Sequence, residues 1–333
     1  MTFLFLILLL VSFYTLSKGS DFLVDGASSV AKKFGISPLV IGLTIVSFGT
    51  SAPELIVSLS STIGGSGQIA VANVLGSNII NILLILGVCA CIKPLVIKSS
   101  TVWKEIPIAF AASLSVLFLG FANIFKTPDL SKLNSLKAAD ISGYLSFSQG
   151  VIFLIFFVIY LYYNYGIAKN SYNLGEEAEN DPRLATSKST WYIIAGLVLL
   201  IVGGQVAVYA AVEIAKSFGI SERIIGLTII AIGTSLPELV TSVKATLKGE
   251  VDIAIGNSVG SNIFNVFLIL GISSLFGVLK LSSGELIDSL VGIAATLILF
   301  VATFVIKKSQ IGRVEGVFMI LTYLTYLSYL LYS

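Results

Sequence analysis

Gly49-Thr50-Ser51-Ala52-Pro53-Glu54 and Gly233-Thr234-Ser235-Leu236-Pro237-Glu238 are one pattern written twice in this chain. Each copy sets a carboxylate inside a long apolar segment, directly behind a proline and two hydroxyls. Ionisable groups at membrane depth are expensive and mark function, so two of them in matching contexts define a candidate site. The surrounding chain supplies the membrane. Of 333 residues 56% are hydrophobic and 11% charged, with mean hydropathy +0.98, whereas a soluble domain carries about 25% charged residues. Long apolar runs suit helices, not the ten-residue alternation of an outer-membrane barrel.

A helix crossing about 30 Å of hydrocarbon takes roughly 20 residues, which divides the chain into ten segments. They cover 2–29, 38–62, 69–91, 105–124, 147–165, 190–215, 223–247, 252–277, 286–306 and 312–332. The stretch Phe3 to Leu16 lacks a basic leader and a clear cleavage site, and is expected to stay as the first helix. With the N-terminus outside, 14 of the 20 Lys and Arg residues fall in cytoplasmic loops, as the positive-inside rule asks. Both termini are therefore expected on the outer face of a cell membrane. Lys169 to Lys188, rich in Glu and Asp, reads as a cytoplasmic tether. The chain thus divides into a first repeat (1–165), a linker (166–189) and a second repeat (190–333). Loop 125–146 has no counterpart of equal length in the second half.

Self-similarity runs without a gap. Gly35-Ile36-Ser37 recurs as Gly219-Ile220-Ser221, and Ile41-Gly42-Leu43-Thr44-Ile45 as Ile225-Gly226-Leu227-Thr228-Ile229. Asn73 matches Asn257, Gly76-Ser77-Asn78-Ile79 matches Gly260-Ser261-Asn262-Ile263, and Asn81 matches Asn265, always 184 positions apart. Five helices per half is an odd number, so the halves enter the membrane from opposite sides. Such inverted-topology repeats build many secondary transporters, with the site between them at the midplane. The expected fold is an all-α integral membrane protein of ten transmembrane helices in two inverted repeats of five.

Polar residues form stripes in the repeated helices. Ser47, Ser51, Glu54 and Ser58 share one face of helix 2. Ser235, Glu238 and Ser242 do so in helix 7, where Ala231 replaces the first serine. Asn73, Ser77 and Asn81 line helix 3, and Asn257, Ser261 and Asn265 line helix 8. Four such stripes must face one another, not lipid. Pro53 and Pro237 should break their helices and free the carbonyls of Gly49 and Gly233 beside Thr50 and Thr234. Gly42, Gly76, Gly226, Gly260, Gly87 and Gly271 read as packing positions. Asp21, Asp25, Glu105 and Glu213 lie nearer helix ends and read as interfacial.

The donor inventory is carboxylate, hydroxyl, amide and carbonyl oxygen, which suits Ca²⁺ and Na⁺ better than Zn²⁺ or Cu⁺. The chain has no histidine, which removes His relays and His-ligated metals, and Cys89 and Cys91 read as a buried reduced pair. A net charge of +2 gives no reason to expect a nucleic-acid partner.

At these residues the chain resembles the sodium/calcium exchangers of the cation/calcium exchanger superfamily, in compact prokaryotic form. Residues 42–81 and 226–265 are similar to that family's paired α-repeats, each with a G-[TS]-S-x-P-E core and a G-S-N-[IV]-x-N segment. The resemblance implies a Na⁺/Ca²⁺ antiporter with four cation sites between helices 2, 3, 7 and 8, while helices 1 and 6 slide across the core. It implies that Glu54 and Glu238 bridge Ca²⁺ and alternately bind Na⁺. Thr50, Ser51, Ser77, Thr234, Ser235 and Ser261 would add oxygens. Asn81, Asn265, Ser47 and, by position, Ala231 complete the candidate metal-binding set. Two ionised glutamates balance one Ca²⁺, so exchange against three Na⁺ would move one net charge, worth about 2.3 kcal/mol per 100 mV.

The nearest rival is a cation/proton antiporter with Glu54 or Glu238 carrying protons; a cation channel is a further one. An enzyme is not expected, for there is no phosphate loop and no nucleophile paired with a base. No cofactor is called for. The expected partners are Ca²⁺, Na⁺ and the bilayer, and a site enclosed within one chain needs no second subunit.

Overall fold

In hydrocarbon every backbone N–H and C=O must find its partner within the protein, so apolar runs of this length become helices. The computed structural model describes residues 2–98, 101–122, 142–173, 186–218, 231–303 and 309–332. Among them are α1 (Thr2–Phe34), α2 (Pro38–Thr50), α3 (Ala52–Ile63), α4 (Gly67–Ile92), α5 (Thr101–Gly120), α6 (Phe147–Asn173) and α7 (Thr186–Ser217). The second half continues with α8 (Ala231–Thr234), α9 (Leu236–Lys248), α10 (Val251–Phe276), α11 (Ser283–Val301) and α12 (Arg313–Tyr332).

Eight of these helices are long and apolar enough to cross a membrane, and α2 with α3 makes a ninth span bent by 45°. The expected seventh segment, 223–247, is described only from Ala231 onward; its start, Gly226 and Arg223 included, lies outside the described residues. Half of the expected linker, 174–185, and most of loop 125–146 lie outside them too.

Several expected boundaries move. Segment 105–124 is α5, which begins four residues earlier and ends at Gly120. Segment 286–306 begins at Ser283, where Ser282 and Glu285 form a capping box. Helices α6 and α7 run into the linker from both sides, to Asn173 and from Thr186. The end of loop 125–146 has a structural role: β2 (Gly143–Leu145) pairs antiparallel with β3 (Leu279–Leu281). Reciprocally, β1 (Leu95–Val96) pairs with β4 (Gln310–Ile311). Each small ribbon ties one half of the chain to the other.

The centre belongs to α4 and α10. In their most apolar stretches 72% and 78% of residues are buried, against at most 39% in the other six unbroken spans. Both are covered by protein on most sides, their polar stripes included. Close approach is bought with glycine at α2 and α10. A Cβ on Gly256 would stand 2.7 Å from the Leu39 carbonyl, and one on Gly42 would stand 2.9 Å from that of Ile253. The packing reading also holds for Gly87, Gly260 and Gly271, whereas Gly76 has no described neighbour there. Helices α1 and α7 lie along each other outside this core, with Leu16, Leu23 and Ala27 packed with Leu200 and Ala207. Long apolar side chains such as Phe3, Leu10, Tyr162 and Val314 remain on the periphery, where lipid would cover them.

Candidate ion-binding site

Proline makes the site. Pro53 has no N–H to return to Gly49, and the chain breaks at Ser51 (φ −81°, ψ 7°), between α2 and α3. Pro237 acts likewise, and Ser235 (φ −86°, ψ 6°) divides α8 from α9. Each new helix restarts with proline in its first turn and its glutamate, Glu54 or Glu238, in that same turn. The two carboxylates thus lie in the first turns of the two restarted helices, and each is 1% exposed.

Each carboxylate is served by the opposite half of the chain. Ser51 donates to Glu238 Oε1 at 3.1 Å, and Ser235 donates to Glu54 Oε1 at 3.4 Å. Ser77 adds a second donor to Glu54 Oε1 at 3.2 Å and receives a bond from Ser235 at 3.1 Å. Thr50 donates to Asn257 Oδ1 at 3.0 Å; its counterpart Thr234 donates to Asn73 Oδ1 at 3.4 Å. The amide of Asn73 turns back to Ser58 Oγ (3.2 Å) and the Glu54 carbonyl (3.4 Å). That of Asn257 does the same to Ser242 Oγ (3.0 Å) and the Glu238 carbonyl (3.3 Å). The Ser51/Ser235, Thr50/Thr234 and Asn73/Asn257 contacts exchange under a shift of 184 residues; those of Ser77 do not, because Ser261 at the matching position is unbonded.

The second oxygens are the informative ones. Glu54 Oε2, Glu238 Oε2, Asn81 Oδ1, Asn265 Oδ1 and Ser261 Oγ are all buried with no hydrogen-bond partner. A buried polar atom left unpaired costs roughly 1–3 kcal/mol. The unpaired oxygens of Glu54 and Glu238 and those of Asn81 and Asn265 stand at matching positions of the two halves, whereas Ser77, the counterpart of Ser261, is bonded.

Most of the expected site residues come together: Thr50, Ser51, Glu54, Ser77, Thr234, Ser235 and Glu238 are joined directly or through one asparagine. Ser47 departs from expectation. Its hydroxyl goes to the Gly42 carbonyl at 2.5 Å and lies 3.2 Å from that of Gly256, so it is spent on seating α2 against α10. The side chain of Ala231 lies outside the described residues. Asn73 and Asn257 bind to the site although only their stripe, not their role, was visible in sequence.

Other acidic residues are distributed differently. Glu105 is fully buried within the protein, and Tyr163 donates to its Oε1 at 2.6 Å. Asp21 and Asp25 on α1 pair with Lys244 and Lys248 on α9. Glu213 pairs with Lys216 at 3.6 Å. Cys89 and Cys91 are free thiols, the first buried and the second half-buried.

This constellation belongs to a known family of membrane transporters. The model of the sodium/calcium exchanger protein family matches residues 4–166 and 188–332, and the chain is a member of that family. It is 40% identical over 325 residues to the putative antiporter CaxA of Alkalimonas amylolytica, covering 95% of each. It is 34% identical to the sodium/calcium exchanger MaX1 of Methanosarcina acetivorans, again over 95% of both chains. Among solved structures the sodium-calcium exchanger NCX_Mj, soaked with Na⁺ and without Ca²⁺, superposes with a TM-score of 0.81 at 30% identity. That match covers 98% of this chain and 99% of the other. The protein is thus a multi-pass membrane protein of the cation/calcium exchange class, built as NCX_Mj is built.

Proposed function

We propose that the protein is a secondary antiporter that exchanges Na⁺ for Ca²⁺ at Glu54 and Glu238. The observation that carries this reading is the set of buried, unpartnered oxygens, with those of Glu54 and Glu238 and of Asn81 and Asn265 at matching positions of the two halves. Ca²⁺ takes six to eight oxygens at 2.3–2.6 Å and tolerates irregular geometry, which a mixed set of this kind offers. Glu54 and Glu238 bridge Ca²⁺ and alternately bind Na⁺. Thr50, Ser51, Ser77, Asn81, Thr234, Ser235, Ser261 and Asn265 supply the remaining oxygens. Ser47 serves the backbone beside them. Ten spans in two inverted repeats, 1–165 and 190–333 with the linker between, place this site at the midplane with both termini outside. One chain is sufficient.

Transport proceeds by alternating access, with α1 and α7 sliding together over the core. A one-sided feature supports this. Lys248 reaches Asp25 at 2.8 Å and Asp21 at 3.3 Å, and Lys244 reaches Asp21 at 3.3 Å. The positions 184 residues away are Gln205, Tyr209, Ser60 and Gly64, which carry no charge. Among the described residues this ionic clasp thus has no charged counterpart at the matching positions, and its face would be the closed one. Two carboxylates balance one Ca²⁺, so exchange against three Na⁺ is electrogenic. Calcium uptake into proteoliposomes under a Na⁺, K⁺ or H⁺ gradient tests the reading. Uptake driven by outward Na⁺ alone is expected; uptake driven by a pH gradient alone would replace it with proton antiport.

A further inference from the structure

Four asparagines join the two halves of the chain to each other. Asn78 Nδ2 donates to the backbone carbonyl of Asn262 at 3.3 Å, and Asn262 Nδ2 donates to that of Asn78 at 3.1 Å. Asn81 Nδ2 donates to Asn262 Oδ1 at 3.0 Å, and Asn265 Nδ2 donates to Asn78 Oδ1 at 3.0 Å. All four are 4% exposed or less. Every one of the four NH₂ groups is spent on this ring. Of the four Oδ1 atoms, those of Asn78 and Asn262 accept within it, and those of Asn81 and Asn265 accept nothing.

The polarity of the ring is not free. A backbone carbonyl can only accept, so Asn78 and Asn262 must turn their NH₂ groups toward it. Their Oδ1 atoms then face Asn265 and Asn81, which must answer with NH₂. The carbonyl oxygens of Asn81 and Asn265 are consequently left pointing away from the ring as bare acceptors. An amide that could otherwise present either end is fixed with its oxygen free by a neighbour in the other half. We propose that Asn78 and Asn262 are positioning residues for calcium and sodium binding, each acting across the repeat boundary: Asn262 through Asn81, and Asn78 through Asn265. This rests on the exchanger reading above. Groups that orient metal ligands typically contribute 10–100-fold in affinity.

The crosswise pattern is the test. Half-saturation by Ca²⁺ is measured in two ways on the full chain: initial uptake into Na⁺-loaded proteoliposomes, and the calcium-induced rise in melting temperature of the purified protein. Asn262→Leu, close in size but unable to bond, is expected to raise the half-saturating Ca²⁺ about tenfold or more. In an Asn81→Ala background the same substitution is expected to add nothing, while in an Asn265→Ala background it keeps its full effect. Asn78→Leu should couple to Asn265 and not to Asn81. Asn78→Ser and Asn262→Ser give the same cycles should a leucine variant fail to fold. Effects that add in every background, or that lower melting temperature and maximal rate while leaving half-saturation unchanged, would overturn the proposal and leave only helix packing. The wild type separates the two levels of failure: no sodium-dependent uptake and no calcium-induced stabilisation would overturn the exchanger reading with it, whereas an active wild type with additive cycles overturns the positioning role alone.

Discussion

Ser51, in the first half of the chain, donates its hydroxyl to Glu238 in the second at 3.1 Å. The mirror contact runs from Ser235 to Glu54 at 3.4 Å. Neither half owns a finished site, because each carboxylate takes a hydroxyl from the other's helix break. Ser51→Ala and Ser235→Ala are therefore expected to weaken Ca²⁺ binding by similar factors of about tenfold. The calcium concentration giving half-maximal uptake checks this, and a large effect from one serine alone would contradict the two-fold account.

Ser47 offers a contrast from the same stripe. Its hydroxyl is committed to the Gly42 carbonyl, so Ser47→Ala is expected to lower stability by about 1 kcal/mol with calcium affinity little changed. Thermal unfolding and uptake, measured side by side, separate the two. Gly260→Ala should be far worse for stability, since its Cβ would collide with the Ser47 side chain and stand 2.9 Å from the Leu43 backbone.

Restoring helix at the breaks should damage transport and spare the fold. Pro53→Ala and Pro237→Ala return an N–H to Gly49 or Gly233, and proline in a helix interior costs about 3 kcal/mol or more. Melting temperature is expected to hold or rise while uptake falls by at least about tenfold. Uptake at the wild-type rate would detach the breaks from the mechanism.

The ionic clasp between α1 and α9 predicts a one-sided effect. Exposed pairs are worth roughly 0–1 kcal/mol each, so Asp25→Asn combined with Lys248→Met should shift the open–closed balance by about tenfold or less. A cysteine at Ile253, 0% exposed beneath α2, reports it in a background lacking Cys89 and Cys91. Labelling from the cytoplasmic side of oriented vesicles is expected to quicken. Unchanged labelling from both sides would remove the clasp from the transport cycle.

A voltage across the vesicle membrane tests stoichiometry. Three Na⁺ against one Ca²⁺ moves one charge, worth about 2.3 kcal/mol per 100 mV. Sodium-driven calcium flux should change steeply with a clamped potassium potential, and flux that ignores it would require two Na⁺ per Ca²⁺.

What could be read from sequence was whatever obeys local rules. Proline inside a helix removes a backbone hydrogen bond, so the interruptions at Ser51 and Ser235 could be expected from Pro53 and Pro237. Glutamate in an apolar run, and a motif recurring at a fixed spacing, carried the two carboxylates and their serines. Partners across long separations were not legible. The burial of Glu105 depends on Tyr163, 58 residues further on, and on an α5 whose first turn, Thr101–Glu105, is too polar to stand out as membrane helix. Asn78 and Asn262 sit one residue out of phase with the polar stripes, and their carbonyl partners lie 184 residues away, so periodicity pointed past them. Ser47 kept the stripe's phase and was expected at the ions, but the intimate contact of α2 with α10 claims its hydroxyl.

The central claim is that Glu54 and Glu238 together hold the transported calcium. Radiolabelled calcium uptake into Na⁺-loaded proteoliposomes, compared for the wild type, Glu54→Gln and Glu238→Gln, tests it most directly. Each substitution keeps the shape of the side chain and removes its charge. The account predicts uptake in the wild type that collapses when the Na⁺ gradient is dissipated, and none above background in either variant. Sodium-driven uptake retained by either glutamine variant would contradict it.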